Sequence, residues 1–123
     1  MSRLDGNNGE VFAANYLQAQ GYNIISRNFH SRYGEIDLIA SKDDKTVCFI
    51  EVKTRREGSM VSGTEAVTAS KQRKIIKTAL TWLQVKKSYM QPRFDVCVIT
   101  TKDGLPTSCE YFEAAFDGSS YNA

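Results

Sequence analysis

A chain of 123 residues has the length of one domain, typically about 100–150 residues, and its 41% hydrophobic content supplies one core while excluding a membrane protein. Two prolines and the lack of any charge block exclude extended disorder. A net charge of +2 does not by itself announce a nucleic-acid binder.

No apolar run approaches the roughly 20 residues of a spanning helix. The opening Met-Ser-Arg-Leu-Asp lacks the apolar stretch of a signal peptide. The composition therefore predicts a soluble, cytoplasmic protein with no membrane partner. The expected layout is a single domain over residues 1–123, with its core at about 6–116 and a flexible tail at 117–123. Cys48, Cys97 and Cys109 are odd in number and lack metal-ligand spacing, in keeping with a reducing compartment. Cys48 and Cys97 sit in apolar runs where a thiol acts as a small hydrophobe, and nothing marks Cys109 as a nucleophile.

In chain order, the first expected element is a helix over residues 8–20, capped by Asn7 or Asn8 and ended by Gly21. Phe12, Ala13, Tyr16 and Leu17 recur at helical spacing and give it a core face. Glu10 falls in its first turn, where a carboxylate meets the positive end of the helix. A strand over 22–29 follows, then a turn over 30–34. Residues 35–41 alternate, with Glu35, Asp37 and Ile39 predicted on one face and Ile36, Leu38 and Ala40 on the other. After the polar turn 42–45, residues 46–55 form a second long strand. Its unbroken apolar run Val47-Cys48-Phe49-Ile50 predicts a central position, and the short connection predicts an antiparallel hairpin.

A loop over 57–63 leads to a helix that starts near Thr68 or Ser70 and ends near Lys86. Ile75, Ile76, Ala79, Leu80 and Leu83 are its expected apolar stripe, with Trp82 at the edge. Strands are expected over 94–100 and 109–116, separated by a turn at Asp103-Gly104. The order helix, three strands, helix, two strands predicts an α/β fold with a central mixed sheet flanked by helices.

The chemistry lies where charged residues intrude into strands. Asp37 stands between Ile36 and Leu38, Glu51 follows Phe49-Ile50, and Lys53 follows Val52. Glu51 and Lys53 are two apart and so share a strand face. Leaving such groups buried and unpaired costs several kcal/mol, so strands seldom keep them without a use. Two carboxylates suit Mg²⁺ or Mn²⁺, hard cations that take oxygen ligands and retain waters, and the Val52 carbonyl offers a further oxygen. Asp37 and Glu51 are the expected ligands, and Lys53 the group that holds the attacking water or a phosphate oxygen. A plain alternative is a surface Glu51–Lys53 pair with Asp37 capping a turn. Arg27, Arg32, Arg55, Arg56, Lys71, Arg73 and Lys74 cluster near these residues in sequence. Of them, Arg32, Arg55, Arg56 and Lys71 are the expected nucleic-acid contacts, although any one of them can equally be a solvated surface charge.

These residues resemble a known pattern. Ile36-Asp37, thirteen residues, then Glu51-Val52-Lys53 is similar to the signature of the restriction-endonuclease-like PD-(D/E)XK superfamily, with Ile36 where that pattern has proline. The chain more closely resembles the bacterial YraN family of predicted endonucleases. The matching segments are Gly9-Glu10, Arg27-Asn28, Gly34 through Ile39, Glu51 through Arg55, Ala66-Val67 with Lys71, and Arg93 through Val96. The resemblance implies a restriction-endonuclease-like sheet and similarity to archaeal Holliday-junction resolvases, homodimers that act on branched DNA. It also implies that Glu10 joins the metal site as a catalytic or ligating carboxylate.

Glu35 is a further candidate, or a partner for Arg32 or Lys53. Asp95 is expected to pair with Arg93 or a helix lysine, His30 to be a loop residue, and Tyr33 to pack in the turn or stack on a base. The expected function is a Mg²⁺- or Mn²⁺-dependent endonuclease acting on DNA. The alternatives are a non-catalytic nucleic-acid-binding module on the same fold and an RNA-directed nuclease.

Overall fold

The computed structural model describes residues 3–58 and 67–118, with side chains of the first helix described from Asn8 onward. In chain order the elements are α1 (Arg3–Ala19), β1 (Asn23–Ser31), β2 (Gly34–Ser41), β3 (Thr46–Arg56), α2 (Ala69–Val85), β4 (Gln91–Lys102) and β5 (Leu105–Phe116). The expected order of elements is the observed one. The strands lie side by side as β1-β2-β3-β4-β5, antiparallel except for the parallel pair β3 and β4 that α2 connects. This is an α/β mixed sheet flanked by two helices, consistent with a restriction-endonuclease-like fold. Neither helix is long and apolar enough to cross a membrane.

Each helix covers one face. Ala13, Ala14 and Leu17 of α1 are fully buried against Leu38, Ala40, Cys48, Ile50, Cys97 and Ile99. The two alanines carry no bulk beyond Cβ, so the helix packs close to the sheet. On the other face, Ile75, Ile76, Ala79 and Trp82 of α2 pack on Ile36, Ile39, Val47, Phe49, Phe94, Val96 and Val98. The Trp82 ring meets Phe49 edge-on at 5.7 Å, and Phe94 stacks between Phe49 and Phe116. Val47 through Ile50 are all buried, as their apolar run requires of a strand covered on both sides.

Several boundaries and faces differ from expectation. The first helix begins at Arg3, so Asn7 and Asn8 lie inside it rather than capping it. Packing overrides their capping preference, since Gly9 is buried against β3. Strand β1 runs on through His30, which pairs with Glu35 instead of forming the turn. Strand β4 begins at Gln91, with Pro92 at a strand start that tolerates its missing N–H. Strand β5 begins at Leu105 because Thr107 and Ser108, loop-like in composition, continue along the β4 edge.

On α2, Leu80 is 46% exposed and Trp82 only 4%. The stripe is centred on Ile75, Ala79 and Trp82 at i, i+4 and i+7, which turns Leu80 outward. Ile36 packs with Ile39 on the α2 face, not with Leu38 and Ala40, so the alternation along β2 breaks at Asp37 or Leu38. Most of the expected loop 57–63, at residues 59–63, and Ala66 lie outside the described residues, as do residues 119–123 of the expected tail.

A second polar cluster bolts β4 to β5 and to the start of β1. Asp95 is fully buried and accepts hydrogen bonds from Arg93, from the Tyr111 hydroxyl at 2.5 Å and from the Ala114 N–H at 2.8 Å. Arg93 also donates to the Tyr22 hydroxyl, which donates in turn to Glu113. The expected Arg93–Asp95 pair is therefore present at 2.9 Å. With every oxygen of Asp95 occupied, the charge is compensated where it is buried.

Candidate metal-binding and nucleic-acid site

The site forms where the sheet loses its regular pairing. The β2–β3 ladder runs through Ala40↔Cys48, Ile39↔Phe49 and Leu38↔Ile50, and stops there. The next residue of β2 is Asp37, and its Oδ2 accepts the Val52 N–H at 2.7 Å. A side chain thus takes over the donor that the ladder abandons. Asp37 does carry a structural hydrogen bond, although to the neighbouring strand and not to a turn.

Three carboxylates meet at this opening. Glu51 is buried, 7% exposed, and on the α2 side of β3 by alternation with Val47 and Phe49. Burial, and then hydrogen bonding with Asp37 and the repulsion of its charge, push the Glu51 carboxyl up to about 8, against the pull of Lys71 and Lys53. Glu10 arrives from α1. Its carboxyl is also raised, first by burial and then by the charge and hydrogen bonding of Asp37, with a further contribution from Glu35 and an opposing hydrogen bond from Asn28. Asp37 is therefore the hub that both glutamates face.

Gly9 explains how Glu10 gets there. A Cβ at position 9 would lie 2.6 Å from Cγ2 of Thr54, so only glycine lets this turn of α1 rest on the end of β3. Lys53, half-buried, shares the β3 face of Glu51 and contributes to its local field. The Lys71 ammonium, at the first turn of α2, stands 3.7 Å from Glu51 Oε2. Thr68 caps that turn by accepting the Lys71 N–H, which fixes where the side chain starts.

The donor set consists of hard carboxylate oxygens, the set that Mg²⁺ or Mn²⁺ takes, alongside water. Among the described residues, no three Asp, Glu, His or Cys side chains are placed together so that they could hold a metal ion. Both glutamates carry raised proton affinities, from burial first and from the facing Asp37 second. By donor type Asp37, Glu51 and Glu10 suit a hard divalent cation, with water needed to complete its shell.

One cleft holds two of the carboxylates, and a second lies farther along the sheet. The first, of about 170 Å³, is lined by Glu10, Val11, Arg27, Asn28, Asp37 and Leu38. Asn28 lies between the paired positions Arg27↔Leu38 and Phe29↔Ile36 and has a positive φ of 52°, a conformation asparagine tolerates better than most residues. The second cleft, about 830 Å³, lies past Lys53 at the C-terminal ends of the parallel strands β3 and β4. Its lining carries the cations Arg55, Arg56 and Lys102 together with the carboxylates Glu57 and Asp103. The Thr101 hydroxyl donates to the Arg55 carbonyl at 3.3 Å and Arg55 Nε donates to Thr100 Oγ1 at 3.4 Å, tying this rim together.

Of the residues singled out in the sequence, Glu10, Asp37, Glu51, Lys53 and Lys71 come together, and Arg55 and Arg56 line the wide cleft at the ends of β3 and β4. Arg32 does not join them. It lies on the exposed β1–β2 turn, bonded to the Tyr33 hydroxyl at 2.8 Å and over its ring, with Lys77 also facing that ring. Glu35 pairs with His30 at 3.5 Å instead of with Arg32 or Lys53. Sequence reasoning missed Asn28 as a site residue and Lys102 as a cleft residue. Only a polar residue within a strand hints at the first, and no local signal marks the second.

A model of the uncharacterised protein family UPF0102 matches residues 9–99, a span that holds every residue of the carboxylate site. The chain is 42% identical over 118 residues to a UPF0102 protein of Pelobacter propionicus, covering 94% of this chain and 84% of that one. It is 43% identical over 113 residues to one of Geotalea uraniireducens, covering 91% and 88%. It is 47% identical over 98 residues to one of Dichelobacter nodosus, covering 77% and 75%.

Proposed function

We propose that this chain, which belongs to the uncharacterised protein family UPF0102, is a metal-dependent endonuclease that hydrolyses phosphodiester bonds in DNA. The observation that carries the reading is the meeting of Glu10, Asp37 and Glu51 at the point where β2 and β3 part, with Lys53 on the face of Glu51. A purely structural cluster would be expected to pair its charges, as Arg93 and Asp95 do. Here Lys71 stands 3.7 Å from Glu51, yet Asp37 still faces both glutamates, carboxylate against carboxylate.

In this reading Asp37 and Glu51 hold Mg²⁺ or Mn²⁺, assisted by the Val52 carbonyl and by Glu10. When bound, the cation lowers the pKa of a coordinated water and neutralises charge on the scissile phosphate. Lys53 holds a phosphate oxygen or the attacking water by charge-assisted hydrogen bonding. Lys71 balances Glu51 and is within reach of the same phosphate. Arg55, Arg56 and Lys102 guide the nucleic-acid backbone through the wide cleft, where cations favour phosphate without reading sequence.

A second reading, a nucleic-acid-binding module without catalysis, is favoured by the Asp37–Val52 hydrogen bond and the Lys71–Glu51 pair, which give two site residues structural partners. Calorimetric titration with Mn²⁺ tests the metal site. The unchanged protein should bind the ion, and Asp37→Asn and Glu51→Gln should each weaken binding by at least about tenfold. Equal binding by all three proteins would remove the metal site from the proposal. Binding of Mn²⁺ and DNA without cleavage of any substrate would favour the module.

A further inference from the structure

On the α1 face of the sheet the sulfurs of Cys97 and Cys109 lie 2.9 Å apart. We propose that these two thiols form an oxidisable pair that closes to an intrachain disulfide when the protein meets a hydroperoxide.

Strands β4 and β5 run antiparallel, with Cys97 opposite Tyr111 and Ile99 opposite Cys109, so the two cysteines are diagonal neighbours on one face. Their sulfurs are already inside van der Waals contact, and bonding distance of about 2.05 Å is a small further approach.

The two thiols are not equivalent. Cys97 is fully buried, whereas Cys109 is half-buried and reachable from solvent. The hydrogen bond between them holds the Cys109 thiol below the ordinary thiol range and drives Cys97 well above it, with burial adding to the rise. Cys109 is thus the nucleophile and Cys97 the partner that resolves the product. Cys48 is a built-in control, 2% exposed and pushed up to about 12 by burial and by the charge of Asp95.

The reaction with hydrogen peroxide balances. The Cys109 thiolate attacks one peroxide oxygen and breaks the O–O bond, becoming a sulfenic acid. The departing hydroxide takes up a proton as the first water. Cys97 sulfur then displaces hydroxide from the Cys109 sulfur, and the Cys97 proton leaves with it as the second water. Two electrons pass from the sulfur pair to the peroxide. The new bond fastens the edge strand β5 to β4 beside Val52, the β3 neighbour of Cys97 and the residue held by Asp37.

The test treats the full chain with hydrogen peroxide, unfolds it in N-ethylmaleimide, and reads the intact mass and peptide map. The expected protein takes one maleimide, on Cys48, is lighter by two hydrogens before labelling, and yields a peptide joining Cys97 to Cys109 that dithiothreitol separates. Cys48→Ser should leave this cross-link in place. Cys109→Ser should lose thiols at least about tenfold more slowly than the unchanged protein. Three maleimides after peroxide, oxygen added to Cys109 without a cross-link, or equal thiol loss in Cys109→Ser would each overturn the proposal.

Discussion

Glu51 ties the site to a measurable pH dependence. Its carboxyl is raised from 4.5 to about 8, so the folded, metal-free protein keeps a proton that the unfolded chain gives up. Between these values the folded state binds more protons, and stability falls as pH rises. We expect the metal-free protein to lose on the order of 2–3 kcal/mol between pH 5 and pH 8. Glu51→Gln should flatten that fall, and Mn²⁺ should offset it at pH 8. Urea unfolding across this range, with and without the ion, checks all three; stability rising with pH would contradict the raised carboxyl. Gly9 gives a second test. Gly9→Ala should cost about 1–2 kcal/mol through the clash with Thr54 Cγ2, and adding Thr54→Ser, which removes that methyl, should recover most of it. At this scale the sequence was informative wherever a charge interrupted an apolar strand, as at Asp37, Glu51 and Asp95. Glu10 sat at an ordinary helix position, and only the resemblance drew it into the site. Asn28 was not legible as a site residue because its role depends on Glu10, brought against it by the packing of α1.

Among the elements, α2 shows how periodicity can find a helix yet misplace its face. Ile75, Ala79 and Trp82 form the buried line, and Leu80 is outside it. Trp82→Ala should cost about 3–5 kcal/mol by opening a cavity against Phe49, while Leu80→Ala should stay within about 0.5 kcal/mol. Chemical denaturation of the two variants decides the matter, and a reversal would place Leu80 in the core. The stripe drawn through Leu80 and Leu83 left Trp82 at its edge, whereas the spacing from Ile75 through Ala79 puts the tryptophan ring at the centre. Strand cores were legible for the same reason that their ends were not. Val47 to Ile50 announce burial by composition, but Thr107 and Ser108 are strand residues only because β4 offers them an edge.

For the whole molecule, the parallel β3–β4 pair places Arg55, Arg56 and Lys102 around one cleft at the C-terminal ends of the two strands. Lys102 is far from the site in sequence, so only the crossover through α2 reveals the grouping. Affinity for DNA should fall steeply with salt, and Arg56→Ala and Lys102→Ala should each reduce the slope of log affinity against log salt by about 1. Fluorescence anisotropy at several salt concentrations measures this; unchanged slopes would exclude the cleft as the phosphate track. Arg32→Ala, on the far turn, should leave the slope nearly unchanged.

The most direct measurement is cleavage of a panel of linear duplex, single-stranded, flap and four-way DNA, with an RNA arm, in Mg²⁺, Mn²⁺ and EDTA. The account predicts cutting that requires the divalent ion and falls at least about 100-fold in Asp37→Ala, Glu51→Gln and Lys53→Ala. Cutting that persists in EDTA, or proceeds equally fast in Asp37→Ala, would contradict it.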